Sequence, residues 1–416
     1  MLRLVRSLKN SFAPINQIPP EVLLLIPGYF NEDDDGDGDN DNNTDQGLIT
    51  LTHVCHGWRD VFTSCSSLWT RLDFTNVEKT RTYIQRSRSS PLEICLEKGQ
   101  DTSFLDDAFS LVIPYLRQLK SLTICAGDLP DALRHFRCQA PLLEELSIFL
   151  YKDHNQILDG ALFGGDLSSL RKLTLSGAIT ITHFPWNNMA NLKVLNLISW
   201  GPGYSMTRLL NFFESAPLLH MVRLKDSIPD SSDVLPQRII PLPHLKSFIT
   251  ADTPHSILLN HLCIPTGASL ILTSNFFSGE ESPLLDCLPE ASSNLKNLSH
   301  ITMVNLGFDP EKKFVRLSGP SGSLRVLACW VQREADSYTM DCRILHSLAP
   351  PILSTTRRLA ISGYSHPEEP LVFQTLLSTK NLRTLVLTKC NNLPFILALD
   401  LSGLLSLILT VDILEG

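Results

Sequence analysis

The chain has 416 residues, 43% of them hydrophobic, which is enough apolar material for a buried core and excludes wholesale disorder. The length suggests two or three units, or one elongated unit. The formal net charge of −8 is local rather than global: residues 31–46 hold eight acidic residues and no Lys or Arg, and the remaining 35 acidic residues equal the 35 basic ones. Outside that run there is no basic excess of the kind that attracts nucleic acid.

Residues 1–14 read as a flexible N-terminus. Met1 to Lys9 is basic but has no continuous apolar core, so no secretory signal is expected; an Arg-containing transit peptide is the lesser alternative. The ten cysteines are scattered without a C-x-x-C spacing. They read as reduced, mostly buried thiols of a cytoplasmic or nuclear protein, not as a disulfide framework.

A helix is expected to start at Ile18-Pro19-Pro20-Glu21, because Pro is tolerated in a first turn and an acidic side chain suits the N-terminal end of the helix dipole. Val22, Leu23, Leu25 and Ile26 form its apolar stripe. Pro27-Gly28 should cut or kink it just after Ile26, since Pro costs about 3 kcal/mol in a helix interior. The acidic run, residues 31–46, reads as a disordered, solvated insert. Asp33, Asp35, Asp37 and Gly38 match the early positions of a calcium loop, but Thr44 stands where the bidentate Glu is required. Val54, Trp58 and Phe62, four apart, are expected on one face of a second helix. Leu68 and Trp69 then close the module. His53, Cys55, His56 and Cys65 lack the spacing of a zinc site.

Taken in order, Ile-Pro-Pro-Glu-Val-Leu at 18–23, Val-Cys-x-x-Trp-Arg at 54–59 and Leu-Trp at 68–69 resemble an F-box. The resemblance covers residues 15–73 without the insert. It implies docking on the Skp-family adaptor of a cullin-type ubiquitin ligase through Ile18, Pro19, Glu21, Val22, Leu23, Ile26, Val54, Trp58, Leu68 and Trp69. The alternative from the residues alone is a plain helical cap that buries its stripe against the first repeat of the C-terminal region.

From residue 74 to 416 one pattern recurs, Leu-x-x-apolar-x-apolar. Its full copies start at Leu119, Leu143, Leu170, Leu192, Leu219, Leu298, Leu382 and Leu404. Weaker or partial copies start at Leu245, Leu270, Leu324 and Leu359. Starts mostly 22 to 28 residues apart fall in the period range of leucine-rich repeats. Each copy predicts one short strand with its last two apolar residues inward, and stacked copies bury together what none buries alone. Trp69 to Phe74 reads as a degenerate first strand, Thr75-x-x-Glu78 as a capping box for a helix to about Arg86, and Leu92 to Leu96 as the next strand. Return helices are expected at Asp131 to Cys138, Met206 to Ser215, His255 to Leu262 and Leu371 to Ser378. Apolar Phe395 to Val411 alternates with period two and so reads as two strands, not a membrane span.

The expected fold class is therefore α/β: a short all-helical F-box-like module, then an irregular leucine-rich-repeat solenoid. The linker Arg86 to Leu92 and this order also resemble the large fungal family of F-box proteins with C-terminal repeats. That likeness implies a substrate receptor with a protein target and without nucleic acid or membrane as partner. Exposed strand positions such as Lys172, Thr174, Asn196, Arg223, His300, Thr302 and Thr384 would face the target, whose binding residues stay unassigned. The other possibility is a repeat scaffold without ligase coupling. Gly319 to Ser323 misses the nucleophile-elbow pattern, and no metalloprotease, P-loop or dinucleotide fingerprint occurs, so no enzyme, catalytic residue, cofactor or metal is expected.

Overall fold

The computed structural model describes residues 12–31, 42–96, 105–126, 136–151, 156–158, 162–177, 179–181, 188–199, 205–226, 238–251, 255–276, 294–298, 300–308, 312–320, 322–330, 355–363, 381–390 and 404–410. They belong to two compact units, one of Met1–Cys125 with Pro130–Leu143 and the other of Ala126–Leu129 with Glu144–Gly416.

The first unit opens with a 3-10 turn over Pro14–Gln17 and a single helical turn, α1 (Pro20–Leu23), followed by a 3-10 helix over Ile26–Asn31. The helix stops three residues before the expected Ile26. Pro27 has no N–H to continue an α-helical ladder, and the tighter form appears at once, with the Gly28 N–H on the Leu25 carbonyl at 3.1 Å. The next helix, α2 (Asn42–Val54), takes in residues 42–46. The acidic run expected to be disordered throughout is thus helical at its C-terminal end. Asn31 belongs to the preceding 3-10 helix, and 32–41, with the calcium-like residues, lie outside the described residues.

Val54, Trp58 and Phe62 do not share a helix. α2 ends at Val54, Cys55 is extended (φ −157°, ψ 174°), and α3 (His56–Ser64) begins after it. The cause is local. In a continuous helix the Trp58 N–H would bond the Val54 carbonyl; the Cys55 sulfur takes that N–H instead, at 3.5 Å, a side chain competing with the backbone ladder. The Arg59 Nε–H then bridges the break by donating to the Thr52 carbonyl at 3.0 Å.

After a 3-10 turn over Ser66–Trp69 comes β1 (Arg71–Leu72), as expected from Trp69 to Phe74. Helix α4 (Val77–Ser87) comes next, but its cap is Asn76, whose side-chain oxygen accepts from the amides of Glu78 and Lys79 at 2.8 and 3.2 Å. The expected cap, Thr75, donates its hydroxyl to Asp73 instead, at 3.0 Å. Asn76→Ala should therefore lower stability by about 1 kcal/mol, visible in the denaturant midpoint, whereas Thr75→Val should leave the cap intact. Burial alone would push the Asp73 carboxyl up; bonds and charge from Lys79, with the Thr75 amide and hydroxyl, outweigh it and hold the group below the usual carboxylate range. With a depressed folded value, this stabilisation is present above the unfolded pKa and is lost as pH falls through the folded one. Asp73→Asn should accordingly flatten the acid limb of the stability profile.

The unit continues through β2 (Leu92–Leu96), α5 (Leu105–Val112) and β3 (Leu119–Ala126). β1 pairs with β2, and β2 with β3, both in parallel. Phe74, Phe109 and Phe136 stack edge to face at 4.9 and 5.1 Å in its core, the arrangement that ring quadrupoles favour.

The second unit is dominated by one sheet. In chain order its strands are β4 (Glu145–Leu150), β6 (Lys172–Ser176), β8 (Val194–Ile198), β9 (Met221–Lys225), β11 (Ser247–Ala251), β13 (Ser269–Phe276), β14 (Met303–Phe308), β15 (Lys312–Gly319), β16 (Gly322–Trp330), β17 (Arg358–Ser362), β18 (Thr384–Thr388) and β19 (Ser406–Thr410). Short pairs are made by β5 (Gln156–Leu158) with β7 (Ile179–Ile181) and by β10 (Ile240–Pro241) with β12 (Leu262–Cys263). From β4 to β13 the main strands pair in parallel in their order along the chain. The expected pairs Leu146/Ile148, Leu173/Leu175, Leu195/Leu197 and Val222/Leu224 are all buried.

Five copies also enter their strands by the same turn. The N–H of Leu143, Leu170, Leu192, Leu219 and Leu245 bonds the carbonyl three residues back, at Ala140, Leu167, Met189, Ala216 and Leu242. These five residues are buried. The repeated unit therefore begins one apolar residue earlier than Leu-x-x-apolar-x-apolar.

Regularity breaks after β13, whose spatial neighbour is β16, reached through antiparallel β15, with β14 next and β17 beyond it. β15 was not anticipated. Its alternating Val315 and Leu317 are buried, but they lie outside the repeat spacing. The reading Leu298-x-x-Ile301-x-Met303 is three residues early: Ile301 is buried ahead of the strand, Val304 and Leu306 are its buried pair, and Met303 is exposed; a slip by an odd number of residues exchanges the faces of a strand. Gly322 at the hairpin has φ +133°, and a Cβ there would lie 2.6 Å from the Ala268 carbonyl oxygen.

Helix α6 (Met206–Ser215) has the expected bounds, capped by Ser205. α7 (His255–Leu259) ends short of Leu262 because Leu262–Cys263 is taken by β12. Of Asp131 to Cys138, only 136–138 are described, as a turn and a bend, and Leu371 to Ser378 lies outside the described residues. Within Phe395 to Val411, β19 is a strand; among the described residues no helix is long and apolar enough to cross a membrane.

Candidate functional site

The ten residues expected to contact an adaptor separate into three groups. Leu23, Trp58 and Trp69 are core residues. The Trp69 Nε1–H donates to the Phe62 carbonyl at 2.9 Å, its ring meets Tyr83 edge-on at 5.0 Å, and the Arg86 guanidinium lies 4.3 Å from its centre. Trp58 packs edge to face on Phe62 at 5.8 Å. Ile18, Ile26 and Leu68 are half-buried, and Pro19, Glu21, Val22 and Val54 are exposed.

The core residues hold the scaffold on which the exposed ones sit. Leu23 and Pro27 from the first segment, Leu48 and Leu51 from α2, and Trp58 and Phe62 from α3 are all buried. α2 packs on both the 3-10 helix at Ile26–Asn31 and α3. Asn16 is tied to the α2–α3 break through the Cys55 thiol, which donates to its Oδ1 at 3.7 Å.

The outside of this scaffold is unusually apolar. Leu25 is 62% exposed, Tyr29 64% and Val54 51%, with Val22 and Ile49 also open. Val22 belongs to α1, Leu25 to the turn after it and Tyr29 to the 3-10 helix, so three successive segments each leave a large apolar side chain open. Large apolar side chains grouped on one short module are the mark of an interaction site, not of an ordinary solvated surface. Glu21, His56 and Asp60 add polar groups to the module, the last two joined at 2.8 Å. The Trp58 indole N–H is buried and meets no acceptor among the described residues.

Two residues of this surface escaped sequence reasoning. Tyr29 comes after Pro27-Gly28, where the expected helix stop also ended the expected apolar stripe. Ile49 sits between Leu48 and Leu51, and only the observed burial of those two shows that Ile49 is the apolar residue left outside.

The expected target-facing positions fare unevenly. Arg223 and His300 are exposed, and Lys172, Asn196, Thr302 and Thr384 are half-buried. Lys172 pairs with Glu145 at 3.3 Å. Thr174 is buried: the Asn196 amide covers it and donates to its hydroxyl at 3.1 Å, so it offers no surface. Among the described residues no group of three or more His, Cys, Asp or Glu side chains is placed to hold a metal ion.

Compared with known families, residues 15–75 match the one described as F-box-like. Compared with curated proteins, the chain has no significant match. The matched residues begin with the 3-10 turn before α1 and end just after β1; together with the order of motifs and the exposed apolar residues they carry, they make residues 15–75 an F-box-like domain.

Proposed function

We propose that the protein is the substrate-receptor subunit of an SCF-type cullin ubiquitin ligase. The observation that carries this reading is the F-box-like match over residues 15–75 on a module that leaves Val22, Leu25, Tyr29, Ile49 and Val54 exposed. F-box domains generally bind Skp-family adaptors, and an apolar helical surface is what such a partner covers. Pro19 and Glu21 belong to the rim of that surface. Leu23, Trp58 and Trp69 shape it from beneath.

The second unit would act as a leucine-rich-repeat solenoid that presents a protein target. Its parallel ladder of strands at repeat spacing supports this. The protein would bring target and ligase together without bond chemistry of its own, in the cytoplasm or nucleus, with neither nucleic acid nor membrane as partner. A scaffold without ligase coupling is the second reading, favoured by the one-turn length of α1.

Co-expression of the full chain with a Skp-family adaptor tests the choice. A stoichiometric complex on gel filtration is expected. An intact, folded chain that never co-purifies with adaptor would sink the ligase reading and leave the scaffold. Replacing residues 32–41 by a Gly/Ser linker of equal length should leave adaptor binding unchanged, because α2 and the 3-10 helix on either side pack on each other.

A further inference from the structure

Four consecutive parallel strands of the second unit are each entered by a basic residue at the same register: Arg171, Lys193, His220 and Lys246. The backbone locks this alignment. The Arg171 carbonyl accepts the amides of Lys193 and Val194 at 2.8 and 3.0 Å, and the Lys193 carbonyl accepts those of His220 and Met221 at 2.8 and 3.0 Å. The His220 carbonyl does the same for Lys246 and Ser247, at 2.8 and 3.1 Å. The four side chains therefore leave the sheet one strand spacing apart, a ridge roughly 14 Å long at about 4.8 Å per strand. Glu144 and Ala268 hold the flanking positions of the same column.

The ridge is poorly neutralised. Arg171 has Glu144 at 3.6 Å, but among the described residues neither Lys193, Lys246 nor exposed Arg223 forms an ion pair. The His244 ring lies 6.2 Å from that of His220. Partial burial, then the charges of Lys246, Lys193 and His244, hold the His220 imidazole below its usual range. These cations thus repel one another in the free protein, although the chain outside the acidic run is charge-balanced. The same register position carries Arg357 and Arg383 in two later strands, where the Arg357 carbonyl accepts the Arg383 and Thr384 amides at 2.8 and 2.9 Å.

We propose that the ridge Arg171, Lys193, His220 and Lys246, with Arg223 beside it, is the docking surface for an acidic, extended peptide segment of the protein's target, lying across the strands. Charge complementarity selects the partner. The length agrees as well: three carboxylates on alternate residues of an extended peptide cover roughly 13 Å at about 3.3 Å per residue, close to the length of the ridge. The identification of that partner as a ligase target rests on the receptor reading; the binding itself does not.

The test uses the full chain and a labelled hexapeptide alternating glutamate and serine, with the glutamine peptide and oligouridylate as controls, read by fluorescence anisotropy. The glutamate peptide should bind, the glutamine peptide should not, and Lys193→Glu with Lys246→Glu should weaken binding at least tenfold and reduce its salt dependence. Peptide should also raise the titration midpoint of the His220 ring proton signals, as should Lys246→Ala without peptide. Equal affinity in the charge-reversed variant, or oligouridylate binding as tightly as the peptide, would overturn the proposal. Adaptor co-purification with the same variant is expected to be unchanged, so a failure here is separable from a failure of the receptor reading.

Discussion

Replacing Leu25 and Val54 together by Asp is expected to lower affinity for a Skp-family adaptor by about a hundredfold, or roughly 3 kcal/mol, with little change in the unfolding transition. Both side chains are more than half exposed, and substitutions at such positions usually change stability by no more than about 0.5 kcal/mol. At an apolar interface each would instead place a charge where water is excluded. The measurement is titration of purified adaptor against wild type and variant, with circular dichroism melts of both. A variant that stays folded and binds as wild type does would remove Leu25 and Val54 from the docking surface. Tyr29→Ala, which deletes area without adding charge, should give a smaller loss in the same direction.

Trp69→Ala should act differently. Trp69 is fully buried and joins α3 to α4 through the Phe62 carbonyl on one side and the Tyr83 ring and Arg86 guanidinium on the other. Truncating such a residue typically costs about 3–5 kcal/mol, and Trp69→Phe should recover part of it by refilling volume without restoring the N–H bond. Denaturant unfolding followed by tryptophan fluorescence reports the loss. If Trp69→Ala abolished adaptor binding while leaving the midpoint unchanged, Trp69 would be a contact residue and not part of the core. The two substitutions thus separate the outside of the module from its interior, a distinction that the sequence motif runs together.

That motif places Leu23, Val22, Trp58 and Val54 side by side as one apolar set. Leu23 and Trp58 prove to be inside and Val22 and Val54 outside. Hydrophobicity alone does not decide between these fates, because a docking surface and a core use the same residue types. The break at Cys55 was equally hidden. Val54, Trp58 and Phe62 satisfy helical spacing, and a sulfur that competes for one amide is enough to separate them. At α4 the rival caps Thr75 and Asn76 are adjacent, and the choice depends on Asp73, which engages the Thr75 hydroxyl and leaves Asn76 free to cap.

Much of the second unit was legible. The copies from Leu143 to Leu219 place their strands and buried pairs correctly, because period-two apolar spacing and a preceding turn are local properties that every copy repeats. Helix α6 was legible for the same reason. The antiparallel β15, the three-residue shift at β14 and the burial of Thr174 were not, since each depends on which strand becomes a neighbour.

By itself, then, the sequence determined the repeat spacing, the order of the F-box-like motifs and the confinement of the excess negative charge to one short run, because all three are written in residue order. Only the tertiary structure decided which apolar residues of the module remain exposed, where the parallel ladder takes in an antiparallel strand, and that four basic residues far apart in the chain stand in one column. Those outcomes depend on pairing between distant segments, where the burial of one side chain is set by what the rest of the chain lays against it.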